Sequence, residues 1–189
     1  MNKAILVTAA ASAAVALAAC TSANNPATSG MTKEQRKAYY AYQDSVTAVA
    51  AMDAVANQRY VAAADRVDNL GRGQTVSADK STNYVSLNGT EATIQISSKL
   101  PILGQNGLGG VTLSGTATAI KTTYDKRGNI TQIFRVIGGS LSAEVTLRMA
   151  KGSDRAIVDV SGTFGQRDLT LQCQVMPYSE AFIVKGKAI

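Results

Sequence analysis

The chain has 189 residues, 46% of them hydrophobic, with 16 glycines, seven tyrosines, no tryptophan and no histidine. The lack of histidine excludes Ser-His-Asp and Cys-His catalysis, removes the commonest general base and takes away most zinc sites. The formal net charge of +6 comes from basic residues scattered singly, with only Lys185-Gly186-Lys187 near a cluster. A nucleic-acid surface shows a basic stripe with aromatics along one face, so no nucleic-acid partner is expected.

Residues 1–19 read as an export signal. Lys3 follows a polar start, Ala4 to Ala16 form an apolar, alanine-rich run, and Leu17-Ala18-Ala19 leads into Cys20. That is the charged, apolar and small-residue order of a secretory signal. A membrane-spanning helix is the other reading, but it needs about 20 apolar residues, and this run is shorter and broken by Thr8 and Ser12. Small residues before a cysteine resemble the lipobox of bacterial lipoprotein precursors, which implies Cys20 as the lipid-attachment residue and a membrane as partner through it. Several acyl chains on one cysteine meet the requirement for stable anchoring. Loss of Lys3 lowers the charge from +6 to +5, and lipid on Cys20 leaves Cys173 without a disulfide partner. Residues 20–31 read as a flexible tether, in which Thr21 to Gly30, small, polar and proline-interrupted, reach at most about 35 Å.

A helix is predicted over 32–57. Thr32-x-x-Gln35 fits a capping box and Glu34 places an acid in the first turn. Tyr39, Tyr42, Val46, Val49 and Met52 make an apolar stripe, which is expected to pack on the rest of the domain.

From residue 58 to 189 the period becomes two. Val61, Ala63 and Val67 alternate with more polar neighbours, as do Val85 and Leu87, then Ala92, Ile94 and Ile96. The alternation continues through Val111–Ala119, Leu141–Met149, Ala156–Val160 and Leu169–Val175. Such a pattern marks antiparallel strands with one dry face. Asn88-Gly89 and the short polar loops after Tyr124, Ile137, Ala150 and Phe164 are suited to joining neighbours. About eight strands in up-and-down order leave two open edges, and closure removes them. The expected fold is therefore mostly β: a lipocalin-like barrel or curled sheet with one N-terminal helix, ahead of a two-sheet sandwich. Phe182-Ile183-Val184 is either a short last strand or a tail.

Ala64-Asp65-Arg66, Asn83-Tyr84-Val85-Ser86-Leu87-Asn88-Gly89, Asn106-Gly107-Leu108-Gly109-Gly110 and Gly128-Asn129-Ile130 resemble DUF4251, a domain of unknown function, over roughly residues 55–188. The resemblance implies an exported protein or lipoprotein of the kind found mostly in Bacteroidetes, with a lipocalin-like barrel and no activity to carry over. The long alanine-rich helix stands outside the family pattern. Thr21 and Ser22 lack an inner-membrane retention acid, and no acidic run follows Cys20. By resemblance, the periplasmic face of the outer membrane is the expected location.

Candidate chemistry is sparse. Asp65 shares a face with Val61, Ala63 and Val67 by alternation. If that face is the interior, Asp65 is a buried carboxylate needing an arginine from another strand, or a group that orients a ligand. Gly104–Gly110 lacks the Gly-Lys-Ser/Thr of a phosphate loop; it reads first as a plain loop with several left-handed residues, and Asn106, Gly107, Gly109 and Gly110 are otherwise candidates for a flap over a barrel mouth. Cys173 falls in register with Leu169, Leu171 and Val175, hence buried and inert. Glu144 and Arg148 share a wet face, and no acid pair, calcium loop or metal cluster stands out. Tyr39, Tyr40 and Tyr42 form either a recognition platform or, for two of them, packing. Ala63, Gly115, Ala117, Ala119, Ala143 and Ala156 line the expected interior sparsely. An eight-stranded barrel can be filled or can hold one small ligand.

These features favour a non-enzymatic module without cofactor, binding a small or lipidic apolar ligand inside the barrel. The alternative is an interaction lipoprotein docking an envelope protein on its outside.

Overall fold

The computed structural model describes residues 26–69, 74–97, 111–139, 141–162 and 168–186. The helix α1 spans Lys33–Ala56. It is followed by β1 (Arg59–Asn69), β2 (Gln74–Ser77), β3 (Tyr84–Asn88), β4 (Glu91–Ile96), β5 (Val111–Tyr124), β6 (Ile130–Gly138), β7 (Leu141–Met149), β8 (Arg155–Gly162) and β9 (Leu169–Pro177). Every pairing is antiparallel, and the order β1-β3-β4-β5-β6-β7-β8-β9 closes where β1 pairs with β9. The result is an eight-stranded barrel with β2 as an additional ninth strand on β1. β2 and β6 are not among the alternating segments read from the sequence.

The helix starts as its capping box requires. The Thr32 amide donates to Gln35 Oε1 at 2.8 Å and the Gln35 amide to Thr32 Oγ1 at 3.2 Å, which satisfies two otherwise unpaired donors. In its later turns Ala48, Ala51, Ala54 and Val55 are buried, and three of them join the barrel core. Tyr42, Val46 and Val49 are instead 65%, 43% and 68% exposed. The expected stripe therefore points the wrong way, although its last member Met52 does reach the core. Alanines win the buried position because a helix can approach the barrel closely only with small side chains.

Among the described residues the interior is filled. Tyr60, Leu87, Ile94, Leu113, Phe134 and Leu147, with their neighbours from all eight barrel strands, form one contiguous cluster. Ala92, Ala117, Ala143 and Ala156, the small inward residues, are no more than 5% exposed. A ligand-sized void would leave such a lining open to a water-sized probe. Three expected inward residues, Val61, Ala63 and Ala119, lie elsewhere, and each of their long strands contains a bulge.

In β1 the register against β9 shifts between Ala64 and Arg66. Tyr60, Ala62 and Ala64 face in, the extra residue Asp65 turns out, and Val67 faces in again. Val61 and Ala63 thus lie on the outer face. In β5 the register shifts between Thr118 and Lys121, and Ala119 sits exposed with φ +53°.

The outer face of β1 and β3 is also dry. Val61, Ala63 and Tyr84 form a second buried cluster, packed by Met176, Ala181 and Ile183. Residues 181–186 form a strap with no strand assignment. The Val184 amide donates to the Ser81 carbonyl at 2.9 Å, and the Gln95 amide nitrogen donates to the Val184 carbonyl at 2.6 Å. Gln95 Oε1 also accepts from the Gly186 amide at 2.5 Å. The final segment is therefore a tail laid across the barrel wall.

Candidate binding surface

Asp65 is the sequence candidate that the structure places most fully. As the extra residue of the bulge it projects from the outer wall, with its side chain 24% exposed. Arg155 Nη2 on β8 donates to its Oδ2 at 2.7 Å, and Lys80 Nζ stands 3.8 Å away. Lys80 also donates to Gln174 Oε1 at 2.9 Å, and Gln174 Nε2 to Asp154 Oδ2 at 2.8 Å. A carboxylate flanked by two cations is a clamp between β1, β8 and the loop before β3; its remaining oxygen Oδ1 is buried without a hydrogen-bond partner. This geometry favours the arginine-paired role over that of a free ligand-orienting group. Asn106, Gly107, Gly109 and Gly110 lie outside the described residues.

Cys173 is buried and unpaired. Burial raises its thiol well above the ordinary value, the Asp65 carboxylate adds to the rise, and Arg155 partly opposes it. A thiol held neutral in this way is a poor nucleophile. Glu144 pairs with Arg135 at 3.7 Å, both about half exposed, while Arg148 pairs with Asp159. Such surface pairs contribute little to stability. Among the described residues no group of three or more acids or cysteines is placed to hold a metal.

Among the described residues, concavities lie on the outside. A groove of about 770 Å³ runs between the end of α1, the starts of β1 and the end of β9, lined among others by Asp53, Asn57, Arg59, Asn88 and Tyr178. A second groove, of about 400 Å³, crosses the outer face of β3, β4 and β5, where Ser86, Thr93, Ser114, Glu91 and Lys185 meet Tyr178. Asn88 and Tyr178 line both, so the two form one surface with Tyr178, 40% exposed, as its ridge. Arg59 and Asp53 are exposed and make no ion pair with a described residue. Among these groove residues Asn88 stands out in the sequence only as half of the Asn88-Gly89 turn, and Ser86 only within the Asn83–Gly89 motif. Tyr178 follows the last alternating strand, and Arg59 is only the first residue of another.

Comparison with known proteins agrees with this architecture. The family model for DUF4251, a domain of unknown function, matches residues 42–172. It therefore includes the second half of α1, so the alanine-rich helix lies partly within the family pattern and not outside it. The crystal structure of a DUF4251 family protein from Bacteroides eggerthii DSM 20697 is 34% identical, with a TM-score of 0.67 over 79% of this chain and 99% of that one. No curated protein matches. A family model covering most of the chain and a solved relative matched over nearly its whole length make the conclusion direct: this chain belongs to the DUF4251 family.

Proposed function

We propose that this protein is an exported, non-enzymatic interaction module. Lipid on Cys20 holds it at the periplasmic face of the outer membrane, and the outside of its barrel docks an envelope protein. The observation that carries this reading is the filled interior. A site for a small apolar ligand occupies about 300 Å³ or more, whereas the inward side chains of the described strands are shut off even from a water-sized probe. What the fold leaves available is the surface around Tyr178, with an exposed arginine and an exposed aspartate. A polar protein segment offering an acid to Arg59 and a base to Asp53 suits that groove.

The test has two measurements. Native mass spectrometry of the chain from Thr21, exported behind an ordinary cleavable signal and purified without denaturant, is expected to give the bare protein mass. A reproducible extra mass released on gentle activation would return the ligand-carrying reading to first place. A photocrosslinking residue in place of Ser179 is expected to capture one discrete envelope protein in cells, and the same residue in place of Thr123 to capture none. Equal capture at both positions counts against docking.

A further inference from the structure

The face of α1 that turns away from the barrel carries Tyr42, Val46 and Val49 at spacings of four and three. They are 65%, 43% and 68% exposed. With the half-buried Tyr39 they make an apolar strip about 15 Å long. Nothing in the fold requires it, because the helix already docks through Ala48, Ala51, Ala54 and Val55. The strip ends at the exposed Asp53, one turn further on.

We infer that this strip lies on the surface of the bilayer and holds the barrel in a fixed orientation at the membrane. The inference rests on the lipid-anchored reading above for its geometry. Three observations point to a membrane as the occupant. The helix is the first long element after Cys20, and the 12 residues of 20–31 allow a separation of no more than about 40 Å. Tyrosine is a residue of membrane interfaces, where an apolar ring and a polar hydroxyl are both satisfied. The exported chain is basic overall, which complements anionic headgroups. A short strip of this kind binds weakly alone, and a tether multiplies it by raising the local concentration of bilayer.

The chain from Thr21, carrying no acyl group, tests the strip without the anchor. Its core lies C-terminal to residue 47, so the fold does not depend on the missing segment. With Val49→Cys and an environment-sensitive dye, vesicles of phosphatidylethanolamine and phosphatidylglycerol are expected to shift the emission to the blue. Pure phosphatidylcholine vesicles should do so far less. The same dye on Ile157→Cys, an exposed position on β8, should not respond. Cys173 stays silent because it is buried. Val46→Ser with Tyr42→Ser is expected to weaken partitioning about tenfold, with circular dichroism unchanged.

A dye that responds equally at 157, or partitioning indifferent to Val46→Ser with Tyr42→Ser, overturns the inference. A vesicle-free dimer that these substitutions dissolve also overturns it, in favour of a second copy as the occupant. The intact mass of the mature protein from membranes reports separately on acylation at Cys20. Failure of the anchor and failure of the strip are therefore distinguishable.

Discussion

Gln132 is fully buried in β6, and its amide is shared among three elements. Oε1 accepts from the Tyr60 hydroxyl at 2.8 Å; Nε2 donates to the Val55 carbonyl at 3.1 Å and to Thr122 Oγ1 at 2.9 Å. It thus satisfies a carbonyl at the end of α1 and the only polar atom of a core tyrosine. Gln132→Leu keeps the volume but strands the Tyr60 hydroxyl and leaves the Val55 carbonyl with the Gln58 amide alone, which costs about 1–3 kcal/mol. Urea unfolding measures it. Adding Tyr60→Phe should recover part of that loss, and strict additivity would show that the network is not coupled. Two residues after the helix, Gln58 has φ +57° and its amide bonds the Val55 carbonyl at 3.1 Å. A side chain is strained there, so Gln58→Gly is expected to stabilise by about 0.5–1 kcal/mol. A lower melting temperature for that variant would contradict the left-handed cap.

At the scale of elements, the β5–β6 hairpin depends on an ionised Asp125. Its Oδ1 accepts from the backbone amides of Asn129 at 2.9 Å and Arg127 at 2.8 Å, and its Oδ2 from the Asn129 side chain at 2.8 Å. The Asn129 backbone bond is the largest cause holding this carboxyl below its ordinary value, helped by its side-chain amide and the Arg127 and Gly128 amides. A lowered folded-state value means that the stabilisation is complete above the ordinary carboxylate range. It is lost only as pH falls through the folded value. Amide exchange at Arg127 and Asn129 should stay slow, relative to the Asp125→Ala variant, as pH falls from ~5, and become equal to it near pH ~2. Identical exchange in both proteins at pH ~5 would rule this out.

The elements also differ in how far the sequence reveals them. β7 and β8 have no bulge and one wet face, so Ala143, Val145, Leu147 and Met149, then Ala156, Val158 and Val160, face in as their alternation predicts. β1 misleads because both of its faces are dry: Tyr60, Ala62 and Ala64 fill the barrel, while Val61 and Ala63 lie under the strap. Period-two reading has no contrast to work with there, and the bulge at Asp65 then swaps the faces. The helix misleads for a different reason. Hydrophobicity ranks Tyr42, Val46 and Val49 above alanine, but closeness of approach decides which face docks. Asp65 shows what a candidate site can yield: its need for an arginine follows from burial, whereas the identity of Arg155 depends on which strand closes the barrel.

For the whole molecule, closure and covering are separate achievements, and the strap makes them separable. The barrel closes through β1 and β9, and its interior cluster contains no residue beyond Val175. The strap instead covers Val61, Ala63 and Tyr84 and is latched by Gln95 and Ser81. A chain ending at Glu180 is therefore expected to keep the closed barrel and its far-ultraviolet spectrum. It should lose on the order of 2–4 kcal/mol from re-exposed apolar area and the released latch, read as a lower urea midpoint. It should also bind a hydrophobic dye on the newly opened wall. Tyr84 supplies a local readout. Its hydroxyl is buried without a partner and burial holds its pKa above the ordinary 10.0. In the folded full-length chain it stays neutral as pH rises through that value, a contribution to stability present below the unfolded value and lost only at higher pH. In the shortened chain one more tyrosine should ionise in the ordinary range, visible by ultraviolet titration. If the shortened chain unfolds outright, Gln95→Ala in the full chain makes the same comparison by releasing the latch alone. A native tyrosine titration in both variants would mean that the strap is not what seals the wall.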